Sequence, residues 1–233
     1  MLRMPLRPPS GGQAVLFARQ GRLACQVRNY RAAKDFFTEA ARLEPHNTAR
    51  RFDLASALEA LQDLSGAVAQ LTEALHLDAK NSDAARRLSS ILSRHTLTDY
   101  ERLNPEGLKS ALRHDAISRD SVADLAIRYL THQGSLSRTL ELGRTQGWQT
   151  AARELCLETT DPLLSNKLFL ELLCGGVIAL PEIEHLLTAL RRLIALELSP
   201  TRLLADKDLV QFTIALMRQC WVNEYVWDSD ADE

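Results

Sequence analysis

Apolar positions along this chain recur at helical spacing and never alternate over a run long enough to make a strand. Between Asn29 and Asn81 the pattern also repeats itself. Ala33, Phe37, Ala40 and Leu43 are followed 34 residues later by Ala67, Leu71, Ala74 and Leu77, and Asn47 by Asn81. Ala33 and Ala40 are one heptad apart, so they share a helix face, with Phe37 between them. Small residues let a neighbouring helix approach closely, and an aromatic fills the gap beside them. Self-similarity at this period predicts stacked two-helix units over residues 14–47 and 48–81.

Ser82 to Ser93 reads as the first helix of a third unit, with Leu88, Ile91 and Leu92 apolar. Its second helix is missing from the expected place, because Glu101 stands where the small residue should be. Two such units bury too little between them, so helices after Ser82 are expected to complete the core. His95 to Asn104 reads as a turn leading to a short helix. Pro105 then starts another with Asn104 as its cap. Ser118 or Asp120 caps a helix running through Gln133, Leu136 to Leu142 marks the next, and Trp148 opens one after Gly147. Asp161-Pro162 predicts a helix to about Cys174, Pro181 the next as far as Ser199-Pro200, and Asp206 or Asp208 the last. About a dozen short helices result. The predicted fold is all-α: a helical-repeat α-solenoid over residues 14–94, continuing into an all-helical bundle over 95–227 that stacks on the repeats.

The first two units resemble tetratricopeptide repeats. In the first, Gly21, Ala33, Phe37, Ala40 and Pro45 fit that pattern, and Tyr30 sits where the second helix begins; in the second, Leu54, Ala55, Ala67, Leu71 and Ala74 fit, and Ala79 replaces the usual proline. The resemblance implies a module that binds another protein. A narrower resemblance covers most of residues 94–227. The stretches Arg94 to Asp120, Glu184 to Leu198 and Gln219 to Trp227 are similar to the helical region ahead of the catalytic domain in bacterial fusions of such repeats to an S-adenosylmethionine-dependent methyltransferase. That enzyme class needs a strand followed by a glycine-rich turn. The nearest match, Leu172 to Leu180, places Gly175-Gly176 after a capped helix, with Pro181 too close behind. The chain ends at Glu233, where the catalytic domain of such a fusion would begin, and is expected to be either a truncated form or a stand-alone relative. S-adenosylmethionine is expected only through a domain absent from this chain, and no other cofactor is implied.

Composition adds direction to this picture. Net charge is −2, so nucleic-acid binding has no bulk support. The charge is uneven: residues 1–51 hold ten Lys or Arg against three Asp or Glu, and residues 161–233 hold six against twelve. Either the basic end meets an acidic partner or this chain's own acidic tail, residues 228–233, or both ends are simply solvated. Met1 to Gln13, with three prolines and two glycines, reads as a disordered leader. No secretory signal or membrane span is found, which predicts a soluble, cytoplasmic protein with no membrane partner. Cys25, Cys156, Cys174 and Cys220 lie far apart within helical patterns and read as small buried hydrophobes.

Candidate chemistry is sparse. The histidines lack metal-ligand spacing, and no GxSxG elbow holds a serine. Glu182, Glu184 and His185 share a helix turn and read either as a metal or acid–base site or, more simply, as a solvated face. His114-Asp115 reads as a loop. No catalytic residue is assigned. Clamps for peptide C-termini use Lys and Asn on the first helices of such repeats. Here Ala18, Arg22, Asp53, Asp83 and Arg87 occupy those places, and the two acids disfavour a carboxylate. The predicted concave face is instead mixed: Arg22, Phe52, Ser56, Glu59, Arg86, Ser90 and Arg94. Phe52 either anchors a partner or packs on the neighbouring helix. A second candidate surface is Trp221 and Tyr225, four apart on the last helix. The expected function is a non-enzymatic module for a protein or peptide. The alternative is the substrate-recruiting part of a methyltransferase.

Overall fold

The computed structural model describes residues 10–97, 99–134, 136–158, 162–175, 178 and 180–222. Among them it is all-α, with thirteen α-helices. The chain divides into two compact units, Met1–Ile117 and Ser118–Glu233.

The first unit holds α1 (Ser10–Gln26), α2 (Tyr30–Leu43), α3 (Thr48–Ala60), α4 (Leu64–Leu77), α5 (Ser82–Leu92) and α6 (Pro105–Leu112). The 34-residue period governs its joints as well as its core. Asn47 and Asn81 cap α3 and α5, their side-chain oxygens accepting from Ala49 N and Ala84 N, both at 3.0 Å. Asn29 and Asp63 cap α2 and α4 in the same way. Between the helices of each pair, Arg28 (φ 56°) and Gln62 (φ 63°) take the left-handed conformation. Each turn is closed by a pair of bonds: Arg28 N to Cys25 O and Asn29 N to Ala24 O, then Gln62 N to Glu59 O and Asp63 N to Leu58 O, all 2.9 Å. This is the helix-ending turn that usually takes glycine.

Packing within each pair follows the small-residue pattern. Ala33 and Ala40 are fully buried and Phe37 is 2% exposed; in the second pair Ala67, Leu71 and Ala74 are fully buried. Gly21 of α1 lies under the Phe37 ring, where a Cβ would come within 2.5 Å of it. The residue at the equivalent place of α3 is Ala55, and its partner is the smaller Leu71. Size on one helix thus offsets size on the other.

α5 is not completed into a third pair of the same kind: α5 and α6 both pack on α4. Residues 93–104 hold no helix among the described positions, so the short helix expected there is not formed. Instead α6 packs along α4, and Gly107 permits this, since a Cβ there would lie 2.8 Å from the Thr72 backbone. The connection is tied down by Arg102, whose Nη1 donates to Asp63 Oδ2 at 2.6 Å, and by Asn104 Nδ2, which donates to Glu73 at 2.8 Å. Burial alone would raise the Asp63 carboxyl. The Arg102 and Gly66 hydrogen bonds, with the charges of Arg102 and Lys34, outweigh it and hold the group below the usual carboxylate range. α5 and α6 thus both pack on α4, and the compact unit that holds the repeats extends to Ile117.

The second unit comprises α7 (Arg119–His132), α8 (Ser137–Gln146), α9 (Trp148–Arg153), which runs into a π-helical turn (Glu154–Glu158), α10 (Lys167–Gly175), α11 (Pro181–Leu196), α12 (Pro200–Ala205) and α13 (Lys207–Val222). Gly147 (φ 93°) makes the break that Trp148 follows. α10 packs on α7 and α13, with Phe169 and Phe212 stacked at 6.2 Å, and α11 packs on α8 and α9. Arg191, among the apolar residues of α11, is buried and donates to Glu184 Oε1 at 2.8 Å and to Gln219 Oε1, joining α11 to α13.

Three expectations need correcting. The helix predicted from Asp161-Pro162 begins at Lys167, capped by Asn166, whose Oδ1 accepts from Leu168 N and Phe169 N; Asp161 lies outside the described residues. The first helix begins at Ser10, inside the predicted leader, because the prolines all lie before it. Cys156 is buried, but Cys25 and Cys174 are half-buried, and the Cys220 side chain lies outside the described residues.

Candidate interaction surface

The first helices of the two repeats, α1 and α3, and the helix that follows them, α5, are linked through side chains that belong to none of their cores. Arg22 of α1 donates to Asp53 Oδ2 of α3 at 3.1 Å. Arg87 of α5 donates through Nε to Glu59 Oε2 of α3 at 2.7 Å, and its guanidinium lies 5.2 Å from the centroid of the half-buried Phe52 ring. A cation over an aromatic face is worth about 0.5–1 kcal/mol where partly solvated. Phe52 is therefore both things the sequence left open: it packs on the neighbouring helix through Arg87 and keeps part of its ring outward.

The other predicted members serve their own helices. Ser56 Oγ donates to Phe52 O at 2.9 Å. Arg86 pairs with Asp83 one turn away, both exposed, and Arg94 donates to Ser90 Oγ. Arg22, Phe52 and Glu59 are thus brought into one cross-helix network, while Arg86, Ser90 and Arg94 form an arginine-bearing edge on α5. Sequence reasoning tested Arg87 only as a clamp position and left it off the face. The offset of 34 from Asp53 held the signal, since Asp53 and Arg87 are equivalent positions of opposite charge. Asp53 and Asp83 are each held by an arginine, so neither acid is a bare negative charge. Four arginines against three carboxylates leave the face mixed.

Residues 26–92 match the tetratricopeptide-repeat family model. The match covers α2 to α5, the elements that carry the 34-residue period and most of this face. No curated protein and no solved structure matches the chain. Nothing in these comparisons supports the resemblance of residues 94–227 to a methyltransferase-fusion region, and the unit boundary after Ile117 cuts through that stretch.

The second candidate surface is not described: the Trp221 side chain and the whole of Tyr225 lie outside the described residues. Glu182, Glu184 and His185 diverge. Glu182 accepts from both Arg144 Nε (2.6 Å) and Nη2 (2.5 Å), Glu184 accepts from Arg191, and His185 lies against Trp148 with ring centroids 5.8 Å apart. Among the described residues, no group of three or more His, Cys, Asp or Glu side chains is placed to hold a metal. Burial pushes the Cys156 thiol up to about 12, which keeps it protonated and unreactive at neutral pH. No described helix is long and apolar enough to cross a membrane.

Proposed function

We propose that the protein is a non-enzymatic interaction module whose repeats bind a peptide or protein segment along α1, α3 and α5. Tetratricopeptide repeats mediate protein–protein interaction. The observation that carries the reading to this face is the Phe52–Arg87–Glu59 network. It presents a partly open aromatic ring with a guanidinium and a carboxylate already oriented beside it. Aromatic and arginine anchors dominate binding energy at interfaces. A fitting segment places an apolar side chain on the Phe52 ring and an acidic group toward the Arg86–Arg94 edge of α5.

The test is peptide-display selection on the full chain. Peptides enriched on the wild type should lose about tenfold or more in affinity with Phe52→Ala or Arg87→Ala. They should be indifferent to Lys34→Ala, an exposed site on α2. Failure to enrich any peptide, or binding unchanged in Phe52→Ala, would count against the reading, provided thermal melts show the variants folded.

A further inference from the structure

The repeat period shows what the outer face of α1 is shaped to meet. α5 packs on α4, so its buried Ala84, Leu88 and Ile91 face that helix. One period earlier, on α3, stand Arg50, Leu54 and Ala57, likewise buried. Arg50 donates to Glu44 Oε2 at the C-terminal end of α2 at 2.9 Å, which marks this as the side of α3 that α2 covers. Two periods earlier, on α1, the same positions are Leu16, Gln20 and Leu23. Leu16 and Leu23 are 55% and 53% exposed, and Val27, one turn beyond Leu23, is 75% exposed. Gln20 alone departs from the apolar pattern. Among the described residues no helix precedes α1. The end of a repeat stack ordinarily carries a polar outer face. This one is apolar at two positions that a preceding helix covers on both α3 and α5.

The same period gives the occupant its charge. Asp53 of α3 pairs with Arg22 on α1, and the equivalent residue of α5, Arg87, pairs with Glu59 on α3. The equivalent residue of α1 is Arg19, which is exposed, and α1 contains no Asp or Glu. A second copy paired through α1 would bring arginine toward arginine, whereas a carboxylate on a different partner answers Arg19 as Glu59 answers Arg87. We propose that the outer face of α1 docks an amphipathic helix of a partner protein. Its apolar stripe covers Leu16, Leu23 and Val27, and an acidic residue beside that stripe pairs with Arg19. The docked helix stands to α1 as α2 stands to α3, so it continues the stack by one element. This site is separate from the Phe52 ring and takes a different ligand.

The probe is a displayed library of helical peptides of about fifteen residues, selected on the full chain. Leu or Ala is fixed at i, i+3, i+4 and i+7, and Glu, Lys or Gln is allowed at the flanking positions. Enriched helices should carry Glu in preference to Lys and should bind less well at high salt. Leu23→Gln and Arg19→Glu should each weaken their binding by about tenfold or more, and Phe52→Ala should leave it unchanged. Exchanging the enriched Glu for Lys should restore binding to Arg19→Glu. Circular dichroism on each variant confirms folding. A selection that yields no helix sensitive to Leu23→Gln overturns the proposal, whatever peptides the Phe52 groove takes. So does enrichment indifferent to Glu or Lys. Sedimentation velocity of the chain alone, up to about 500 μM, supplies the remaining check: a dimer that Leu23→Gln dissociates would make a second copy the occupant and overturn the proposal.

Discussion

The fit between Gly21 and Phe37 is a quantitative claim about how the repeat period is built. A Cβ at position 21 would lie 2.5 Å from Phe37 Cε1, 2.6 Å from Cδ1 and 2.9 Å from Cζ, where ordinary contact begins near 3.4 Å. The ring cannot swing away: Phe37 is 2% exposed and lies between fully buried Ala33 and Ala40. Gly21→Ala should therefore cost about 1–3 kcal/mol in overpacking, offset by about 1 kcal/mol of helix propensity. Phe37→Leu alone leaves unfilled space and should cost roughly 1–2 kcal/mol. The double variant recreates the Ala55–Leu71 pair of the second repeat, so it should be more stable than the sum of its parts. Propensity cancels in the cycle, leaving a coupling of about 1 kcal/mol or more in favour of the double variant. Hydrogen-exchange protection of α1 and α2 amides reads this locally, independent of the second unit. Costs that add to within about 0.5 kcal/mol would show that the two side chains do not constrain each other.

Gly107→Ala should destabilise the first unit by a net ~1–2 kcal/mol, because its methyl meets the Thr72 backbone, which cannot rotate aside; loss of exchange protection in α4 and α6 is the readout. Gln62→Gly should raise the stability of the same unit by about 0.5–1 kcal/mol, since glycine adopts positive φ without steric cost; unchanged or lower protection of α3 and α4 would contradict this. Asp63 has a depressed folded-state pKa, so its stabilising contribution is complete above the unfolded value of about 4 and is lost as pH falls through the folded value. Asp63→Asn should accordingly lower urea stability more at pH 7 than at pH 3, and an equal loss at both would refute the ion pair with Arg102.

The apolar period was enough to place α2 and α4 and their buried residues, because Ala, Phe and Leu at heptad spacing carry both the packing and its signal. The turns were harder to read. Arg28 and Gln62 hold left-handed conformations with side chains that give no hint of it, and only their shared offset of 34 reveals the motif. The packing of α6 on α4 is not legible in the repeat pattern, because a twelve-residue connection, residues 93–104, moves it out of phase; its marker is Gly107, a small residue at a close helix crossing. Asp161-Pro162 has the composition of a helix start, yet Asn166 supplies the cap, since local capping preference does not choose between two eligible sites. At the candidate surface, residue types were readable one at a time, but the pairing of Arg87 with Glu59 and Phe52 depends on how α5 lies beside α3.

Hydroxyl-radical footprinting of the full chain, with and without a peptide selected by display, tests the central claim most directly. Phe52 is the reactive, partly open probe on the α1–α3–α5 face, and Phe36, half-buried on α2, is the matched control. The account predicts that ligand slows oxidation at Phe52 and leaves Phe36 unchanged. Protection of Phe36 with Phe52 unaffected would place the binding surface on the other side of the repeats and contradict it.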